Sequence, residues 1–381
     1  MSPLVILGSG LAGYGLLREF RKRDAKSPVT LITADDGRVY SKPNLSNALS
    51  QKRTPAQLAS ETAEQAAAKF NATILTHTRV SGIDPANKRV RSDRGDIAYG
   101  RLVLALGADP FPHGLGGDAA EDVISVNDLD DYTRFRTALE GKRHVAILGG
   151  GLIGCEFAND LATSGHAATV IHLGPWPLER LIPEAAGRAL ADTLESQGVA
   201  WRFGRTAKQV ESRAAGYRLT LDDGSRIEAD LVLSAIGLRS RTQLAREAGI
   251  PVNRGIVVNR KLETGVADIY AIGDCAEVAG QVLPFVQPLL IQARALAAIL
   301  AGEDVQVSYP AMPVMVKTSA YPIAVLPPAA NATGAWQVEY TENGIVALHQ
   351  NEAGGLTGFA LTGSETSRRA ELAKRVGALL A

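Results

Sequence analysis

The chain has 381 residues, a length that fits two or three domains, each with its own hydrophobic core. Forty basic and forty acidic side chains give a formal net charge of zero, so the overall charge favours neither nucleic acid nor an anionic membrane as a partner. Hydrophobic residues make up 46% of the chain and aromatic residues 5%, a balance typical of helices packed on parallel sheets. Apolar runs of strand length, a strand that begins at residue 4 and two distant cysteines predict a cytoplasmic protein without signal peptide or membrane span.

The first predicted strand, residues 4–7, leads directly into a glycine-rich turn. Gly8, Gly10 and Gly13 form the pattern G-x-G-x-x-G, and a helix is predicted over residues 14–22. These glycines allow a tight turn, a close approach of backbone to phosphate, and close packing of helix on strand. A dinucleotide pyrophosphate would then lie at a helix N-terminus, where free N–H groups favour an anion.

The second predicted strand, residues 29–33, is followed by Asp35 and Asp36. The spacing from Gly13 is the one at which a carboxylate reaches the adenosine ribose of a bound dinucleotide. An Asx turn before Gly37 is the alternative interpretation.

The rest of the first unit contains smaller elements. A loop over residues 37–48 carries Lys42, and a helix is predicted over residues 57–69. Short antiparallel strands are predicted over residues 72–75, 79–84, 89–92 and 96–98, and a buried strand over residues 102–107 ends in Gly107.

A second glycine-rich turn follows the helix predicted over residues 128–141. The apolar strand 145–148 leads into Gly149, Gly151 and Gly154, and a helix is predicted over residues 152–163. One such pattern is weak evidence for a nucleotide site, whereas two copies, each between a strand and a helix, predict two dinucleotide-binding units.

The strand predicted over residues 168–172 ends in His172, at the position where NAD-binding units usually carry an acid. A surface histidine and a ribose contact both remain open at this position. Arg180 is eight residues further on, too far to predict a site for a 2′-phosphate, so the sequence favours NADH over NADPH.

Each unit ends in the same way, and the chain then returns to the first unit. After a helix over residues 183–198 and strands over 202–211, 216–221 and 226–228, the strand 231–237 repeats the pattern of 102–107. Strands over 255–258 and 269–272 follow, and the second ends in Gly273 and Asp274, which can bring a carboxylate to flavin ribityl hydroxyls. A helix over residues 288–302 directs its positive end toward the same place.

The sequence thus predicts an α/β fold with two nested Rossmann-like dinucleotide-binding domains and a small C-terminal α+β domain. The predicted bounds are 1–110 with 238–309 for the FAD-binding domain, 111–237 for the NAD-binding domain and 310–381 for the C-terminal domain, in which a helix is predicted over 364–380.

Several of these motifs together resemble the FAD-dependent pyridine nucleotide–disulfide oxidoreductase family. The resemblance rests on the two glycine turns, Asp35, residues 40–46, the strand ends at 105–107 and 235–237, Glu156, and residues 259–274. It covers the whole chain and implies FAD as cofactor and NADH as substrate. The residues that it implies in cofactor contact are Gly8, Gly10, Leu11, Ala12, Gly13, Asp35, Lys42, Val80, Ala105, Gly107, Gly149, Gly151, Leu152, Ile153, Gly154, Glu156, His172, Gly237, Gly273, Asp274, Val286 and Lys317.

Within the family, residues 32–43, 149–161 and 312–318 look most like members that pass electrons to rubredoxin, an acidic one-iron carrier, in bacterial alkane-oxidising systems. The resemblance implies a cytoplasmic monomer without metal site, nucleic-acid partner or membrane association. A ferredoxin reductase, an NADH oxidase and a non-catalytic nucleotide sensor of the same fold are the alternatives.

Two departures from the family pattern affect the predicted chemistry. Residues 37–51 contain no cysteine, which excludes the dithiol and peroxidase reactions of the family. Asn47 stands where related reductases carry a second cation, so Lys42 and Lys317 are predicted to supply positive charge near the flavin. Glu156 is predicted to hold the nicotinamide carboxamide or a lysine near the flavin, with an exposed helix residue as the alternative. Lys42 is also predicted to belong to a basic rim that receives rubredoxin.

Overall fold

The computed structural model describes residues 3–329 and 331–381, and its strands form three large sheets. Two of these sheets have five parallel strands each, and the third has five antiparallel strands. Residues 1, 2 and 330, which fall inside the predicted first and third domains, lie outside the described residues.

The first sheet is built from short apolar segments, and its three central strands are largely buried. Helices Leu11–Arg21 and Val286–Leu300 pack against each other beside it. The strand order is Ile269–Ala271, Arg101–Leu104, Leu4–Leu7, Val29–Ile32, Thr73–Leu75. One edge strand therefore comes from far along the chain, after the whole second sheet.

Smaller elements complete the first unit. They are the helices Pro55–Leu58, Ala63–Phe70 and Gln243–Glu247; the 3-10 helices Lys42–Asn47 and Gly273–Cys275; the antiparallel pair Val39–Tyr40 and Ala59–Glu61; the meander Val80–Asp84, Arg89–Ser92 and Gly95–Ala98; and the parallel pair Ile256–Val258 and Ala276–Val278.

The second sheet repeats the plan of the first. Its strand order is Ile124–Ser125, Leu231–Ser234, His144–Leu148, Ala167–His172, Val199–Phe203. The other elements of this unit are the helices Leu129–Leu139, Leu152–Thr163 and Glu184–Glu195, the 3-10 helix Ala120–Asp122, and the antiparallel strands Ala207–Arg213, Gly216–Leu221 and Arg226–Ala229.

The chain crosses between the two units twice, and the crossings lie side by side. Strand Ala108–Pro110 pairs antiparallel with strand Leu238–Ser240, and Arg241 forms an ion pair with Asp109 across them at 2.6 Å. The second unit is thereby inserted into the first, and the predicted nested α/β fold is confirmed.

The third sheet has the order Val314–Val316, Ile323–Leu326, Leu356–Thr362, Gly344–Gln350, Ala335–Thr341. The 3-10 helix Gly363–Arg368 and the helix Arg369–Val376 follow. Its inner face joins the core of the second unit through Val316, Ile323 and Val325, so this small domain packs firmly on its neighbour. For all three domains we propose the bounds predicted from the sequence, and the strand pairing of each sheet supports them.

Some predicted elements are wrong in detail. The helix predicted over 57–69 is two helices separated by strand Ala59–Glu61, because Thr62 caps a new helix. The strand predicted over 202–211 is two strands separated by Gly204, which adopts positive φ. Strand Thr73–Leu75 is parallel to its neighbour Val29–Ile32 rather than antiparallel. The last predicted helix is shorter, a 3-10 turn followed by Arg369–Val376.

Candidate functional site

The two glycine turns have the same geometry. Gly8 and Gly149 both adopt positive φ, +112° and +98°, where a side chain would be strained. A Cβ on either would overlap the carbonyl oxygen of the alanine at the end of the neighbouring strand, Ala105 or Ala235. A Cβ on the third glycine of each pattern would overlap the carbonyl oxygen of the first. The repeat seen in the sequence is therefore a repeat of backbone packing.

The middle glycine of each turn, Gly10 or Gly151, lies beside open space. Each glycine has an extended backbone and directly precedes a helix that no side chain of the described residues caps. No heavy atom of the described residues lies within 4 Å of a Cβ added to either glycine. Free N–H groups at a helix end beside an open glycine form a cradle that suits a pyrophosphate. Both turns thus fit a dinucleotide, and residues Leu11, Ala12, Leu152 and Ile153 form the first helical turns above them.

Asp35 lies at the end of its strand, beside the first glycine turn. Its carboxylate accepts hydrogen bonds from Thr33 Oγ1 at 2.6 Å, from the Gly37 backbone N–H at 2.9 Å and from Ser9 Oγ at 3.0 Å. Part of the Asx-turn interpretation is therefore correct, since the Gly37 N–H donates to the Asp35 carboxylate two residues earlier. The carboxylate remains next to the turn, where a ribose would lie. Ser9 and Thr33 were not singled out from the sequence.

The turn at Gly273 and Asp274 meets the first glycine turn directly. An added Cβ on Gly273 would lie 2.8 Å from the Cβ of Ala12, so glycine permits this approach. The Gly273 N–H donates to Gln292 Oε1 at 2.6 Å, and Gln292 in turn donates to Tyr309 Oη at 2.8 Å. This buried chain of hydrogen bonds fixes the turn on helix Val286–Leu300.

Lys42 lies in the same cleft as Asp274. Its Nζ donates to Asn127 Oδ1 at 2.6 Å, and Asn127 donates to the Ala108 carbonyl at 2.9 Å, which ties the lysine to the crossing between the units. Burial lowers the pKa of Lys42 and raises the pKa of Asp274, while the opposite charge of each partner works against both shifts. The Lys42 ammonium is partly buried and hydrogen-bonded inside the cleft, and its place in a basic rim that receives rubredoxin stays a prediction.

Glu156 joins all three domains. It is 4% exposed, and its carboxylate accepts from Lys317 Nζ at 2.6 Å, from the Lys317 backbone N–H at 3.1 Å and from Ser46 Oγ at 2.5 Å. Lys317 Nζ also donates to Ser46 Oγ at 3.0 Å. The exposed-residue alternative for Glu156 is wrong, and the lysine that Glu156 holds is Lys317.

The next turn of the same helix extends this junction. Asp160 accepts from the Leu49 and Ser50 backbone N–H groups at 3.0 and 2.8 Å, and burial raises its pKa. Asn159 accepts from the Ala320 N–H at 3.0 Å and donates to Ser319 Oγ at 3.1 Å. The buried polar run in helix Leu152–Thr163 was the sequence signal for these contacts, and sequence reasoning missed it.

The remaining predicted residues have less specific surroundings. Val80 begins the meander and is partly buried, while Val286 and Ile153 are exposed near the N-termini of their helices. The carbonyls of Gly107 and Gly237 accept from Arg241 N and Phe111 N at 3.0 Å each, so both glycines mark the crossings between the units.

His172 is buried and makes two hydrogen bonds. Its Nδ1 accepts from the Gly150 N–H at 3.0 Å, and its Nε2 is 2.7 Å from Glu179 Oε2. The surface interpretation of His172 is therefore wrong, because the ring is buried and contacts Gly150 in the second glycine turn.

Neither cysteine is free to react. Cys155 Sγ donates to the Gly150 carbonyl at 3.3 Å and Cys275 Sγ to the Ile272 carbonyl at 3.3 Å, and both thiols are fully buried. Burial raises the pKa of Cys275 to about 11 and raises the pKa of Cys155 further. Thiols of this kind have little thiolate at neutral pH and do not serve as redox relays.

Two further features concern metal binding and the membrane. Within residues 3–329 and 331–381, no group of three or more histidine, cysteine, aspartate or glutamate side chains could hold a metal ion. In that same part of the chain, every helix is too short or too polar to cross a membrane.

The nested fold and the paired glycine turns define an oxidoreductase of the class that binds two dinucleotides. Residues 2–295 match the model of the pyridine nucleotide-disulphide oxidoreductase family, and residues 306–376 match a rubredoxin binding C-terminal domain. The chain belongs to the pyridine nucleotide-disulphide oxidoreductase family. The predicted use of FAD and NADH is confirmed by this membership.

Curated relatives and a solved structure cover nearly the whole chain. A rubredoxin-NAD(+) reductase of Alcanivorax borkumensis is 49% identical over 381 residues, 100% of both chains. One of Acinetobacter baylyi is 44% identical over 377 residues, 97% of this chain and 96% of the relative. The crystal structure of a ferredoxin reductase from Rhodopseudomonas palustris superposes with a TM-score of 0.86 at 25% identity, covering 94% of this chain and 91% of that one.

Proposed function

We propose that the protein transfers electrons from NADH through FAD to rubredoxin. The observation that carries this proposal is the position of Lys317 in the chain and in the cleft. This lysine lies in the segment that matches a rubredoxin binding domain, and its ammonium contacts Glu156 and Ser46 in the cleft between the dinucleotide-binding units. The domain that is expected to bind the acceptor therefore also contributes a side chain to the cleft where the two dinucleotides would meet. The names of the two relatives support the same acceptor.

In this proposal the first glycine turn, Asp35, Asp274 and Lys42 hold FAD, and the second turn with His172 holds NADH. Bound FAD would accept a hydride and release single electrons, which is the chemistry that a two-electron donor and a one-iron acceptor require. The protein would orient the two rings, and the partly exposed Lys317 ammonium, held by the buried Glu156 carboxylate, lies in the cleft between the two units.

The test is reduction of candidate acceptors by the flavin-loaded protein and NADH, with rubredoxin, a plant-type ferredoxin and oxygen compared at equal concentration. We expect rubredoxin to be reduced at least about 100-fold faster than the other two, a discrimination of roughly 2.7 kcal/mol in transition-state free energy. Equal or faster reduction of ferredoxin or oxygen would overturn the proposed acceptor.

The wider setting is also a proposal. We infer that the reduced rubredoxin serves an alkane hydroxylase and that the protein acts as a cytoplasmic monomer, as in the systems that the sequence resembles. Reconstitution with rubredoxin and an alkane hydroxylase should give NADH-dependent hydroxylation of a medium-chain alkane, and sedimentation should give the mass of one chain. Loss of product formation with each component present would contradict the pathway.

A further inference from the structure

His172, at the end of strand Ala167–His172, has a hydrogen-bond partner on each ring nitrogen, and the two partners fix its tautomer. A backbone N–H can only donate, so the Gly150 N–H requires a lone pair on His172 Nδ1, 3.0 Å away. The single ring proton then lies on Nε2, which donates to Glu179 Oε2 at 2.7 Å. In this arrangement the ring accepts a hydrogen bond from the glycine turn and donates one to the Glu179 carboxylate.

Glu179 reaches this place because its loop is tied to the glycine turn. The Leu178 N–H donates to the Gly150 carbonyl at 2.9 Å, so the residue before Glu179 contacts the residue that binds His172. Gly174 provides the room, since a Cβ there would lie 2.6 Å from Glu179 Cδ and 2.8 Å from His172 Nε2. The carboxylate is thus fixed at the end of the strand, although it is seven residues away in sequence.

The first domain has a comparable hydrogen-bonding arrangement beside its glycine turn. There Asp35 contacts Ser9, the residue between the first two glycines of its turn, at 3.0 Å. In the second domain His172 contacts Gly150, the residue between Gly149 and Gly151. By strand register His172 corresponds to Thr33, because Leu7 pairs with Ile32 and Leu148 pairs with Ile171. Thr33 donates to Asp35 at 2.6 Å, as His172 donates to Glu179, so Glu179 takes the place of Asp35 in the second domain.

We propose that Glu179, held on His172, is the residue that selects NADH over NADPH. This inference rests on the proposed use of the second turn by NADH. A carboxylate beside the adenosine ribose can accept a hydrogen bond from the 2′-hydroxyl and repels a 2′-phosphate. Arg180 does not cancel this charge, because it is 89% exposed and its Nε lies 3.6 Å from Glu179 Oε1, where solvent screens the pair.

The test is calorimetric binding of ADP-ribose and 2′-phospho-ADP-ribose to the flavin-loaded protein, which needs no acceptor and no turnover. We expect the wild-type protein to prefer ADP-ribose and Glu179→Gln to lower that preference at least roughly tenfold, about 1.4 kcal/mol, mainly through tighter binding of the phosphorylated ligand. Glu184→Gln is the matched control, because Glu184 is an exposed acid at the start of the next helix, paired with Arg188. This control should leave the preference unchanged.

A second variant tests the role of the position itself. The double variant Glu179→Gln with His172→Asp places an acid at the strand end, where NAD-binding units usually carry one. The preference for ADP-ribose should return in this variant. An unchanged preference in Glu179→Gln, or an equal change in Glu184→Gln, would overturn the inference. If these preferences behave as expected while rubredoxin is not reduced, the proposed function fails and the inference stands.

Discussion

Replacing Gly10 with alanine is expected to give a folded protein without flavin, whereas replacing Gly151 is expected to give a yellow protein that NADH cannot bleach. Both glycines have extended backbones that alanine adopts, and no heavy atom of the described residues lies within 4 Å of the added methyl group. The methyl would instead occupy the space above the helix N-terminus that a pyrophosphate needs. We expect each variant to lose at least about 100-fold in affinity for its own dinucleotide, roughly 2.7 kcal/mol. Flavin content and NADH binding of each purified variant measure this.

The matched control is Gly15→Ala in helix Leu11–Arg21, which Gly10 precedes. An added Cβ there would lie 3.6 Å from the Cβ of Ala293, an ordinary contact, so both affinities should stay unchanged. Gly13→Ala and Gly154→Ala are poor tests because their Cβ atoms would overlap backbone carbonyls and disturb the fold itself. Full flavin content in Gly10→Ala, or flavin loss in Gly151→Ala, would contradict the assignment of the two turns.

Replacing Lys317 with methionine is expected to destabilise the protein and to slow its reduction by NADH. The change leaves the buried Glu156 carboxylate with Ser46 and a backbone N–H but without a counter-charge. Breaking a buried ion pair in this way costs about 3–5 kcal/mol, and the lower end applies because Lys317 is partly exposed. Chemical denaturation of the flavin-loaded protein measures the loss, and stopped-flow bleaching by NADH should slow about tenfold.

Two further variants separate charge from packing. The double variant Lys317→Met with Glu156→Gln removes both charges, so its loss of stability should be smaller than the sum of the two single losses by about 1–3 kcal/mol. Lys374→Met removes an exposed lysine from the last helix of the same domain and should change neither stability nor the rate of bleaching. Additive losses in the double variant would show that the two side chains are not coupled.

The parts of the fold that sequence reasoning predicted well are those with local causes. Each glycine pattern lies between an apolar strand and a helix, and the spacing from Gly13 to Asp35 follows from the length of one helix and one strand. The predicted helix 152–163 and the observed helix Leu152–Thr163 agree because Gly151 precedes the start and Gly165, with positive φ, follows the end. The nested order followed from the second copy of the strand that ends in Gly237.

Other features were not predicted, one of them despite a local signal in the sequence. The break in helix 57–69 had a local signal, since Thr54 with Gln57 and Thr62 with Gln65 form two capping boxes. The partner of Glu156 had none, because Lys317 lies 161 residues further along the chain and meets it only when the third domain packs. Glu179 was missed for a related reason, since its role depends on how a loop folds back onto Gly150.

The buried polar face of helix Leu152–Thr163 forms hydrogen bonds that connect the three domains. Glu156 bonds to the first and third domains, Asn159 to the third, and Asp160 to the first. Because unpaired polar groups at these sites would be costly, the domains are held in one relative arrangement. That rigidity suits a reaction in which two rings must lie face to face.

Anaerobic titration of the flavin-loaded protein with NADH tests most directly whether electrons pass to the acceptor without a sulfur relay. With both thiols buried and hydrogen-bonded to carbonyls, the flavin should be the sole two-electron store, and one equivalent of NADH per flavin should bleach it completely. Consumption of two equivalents per flavin would reveal a second redox centre and would contradict the account.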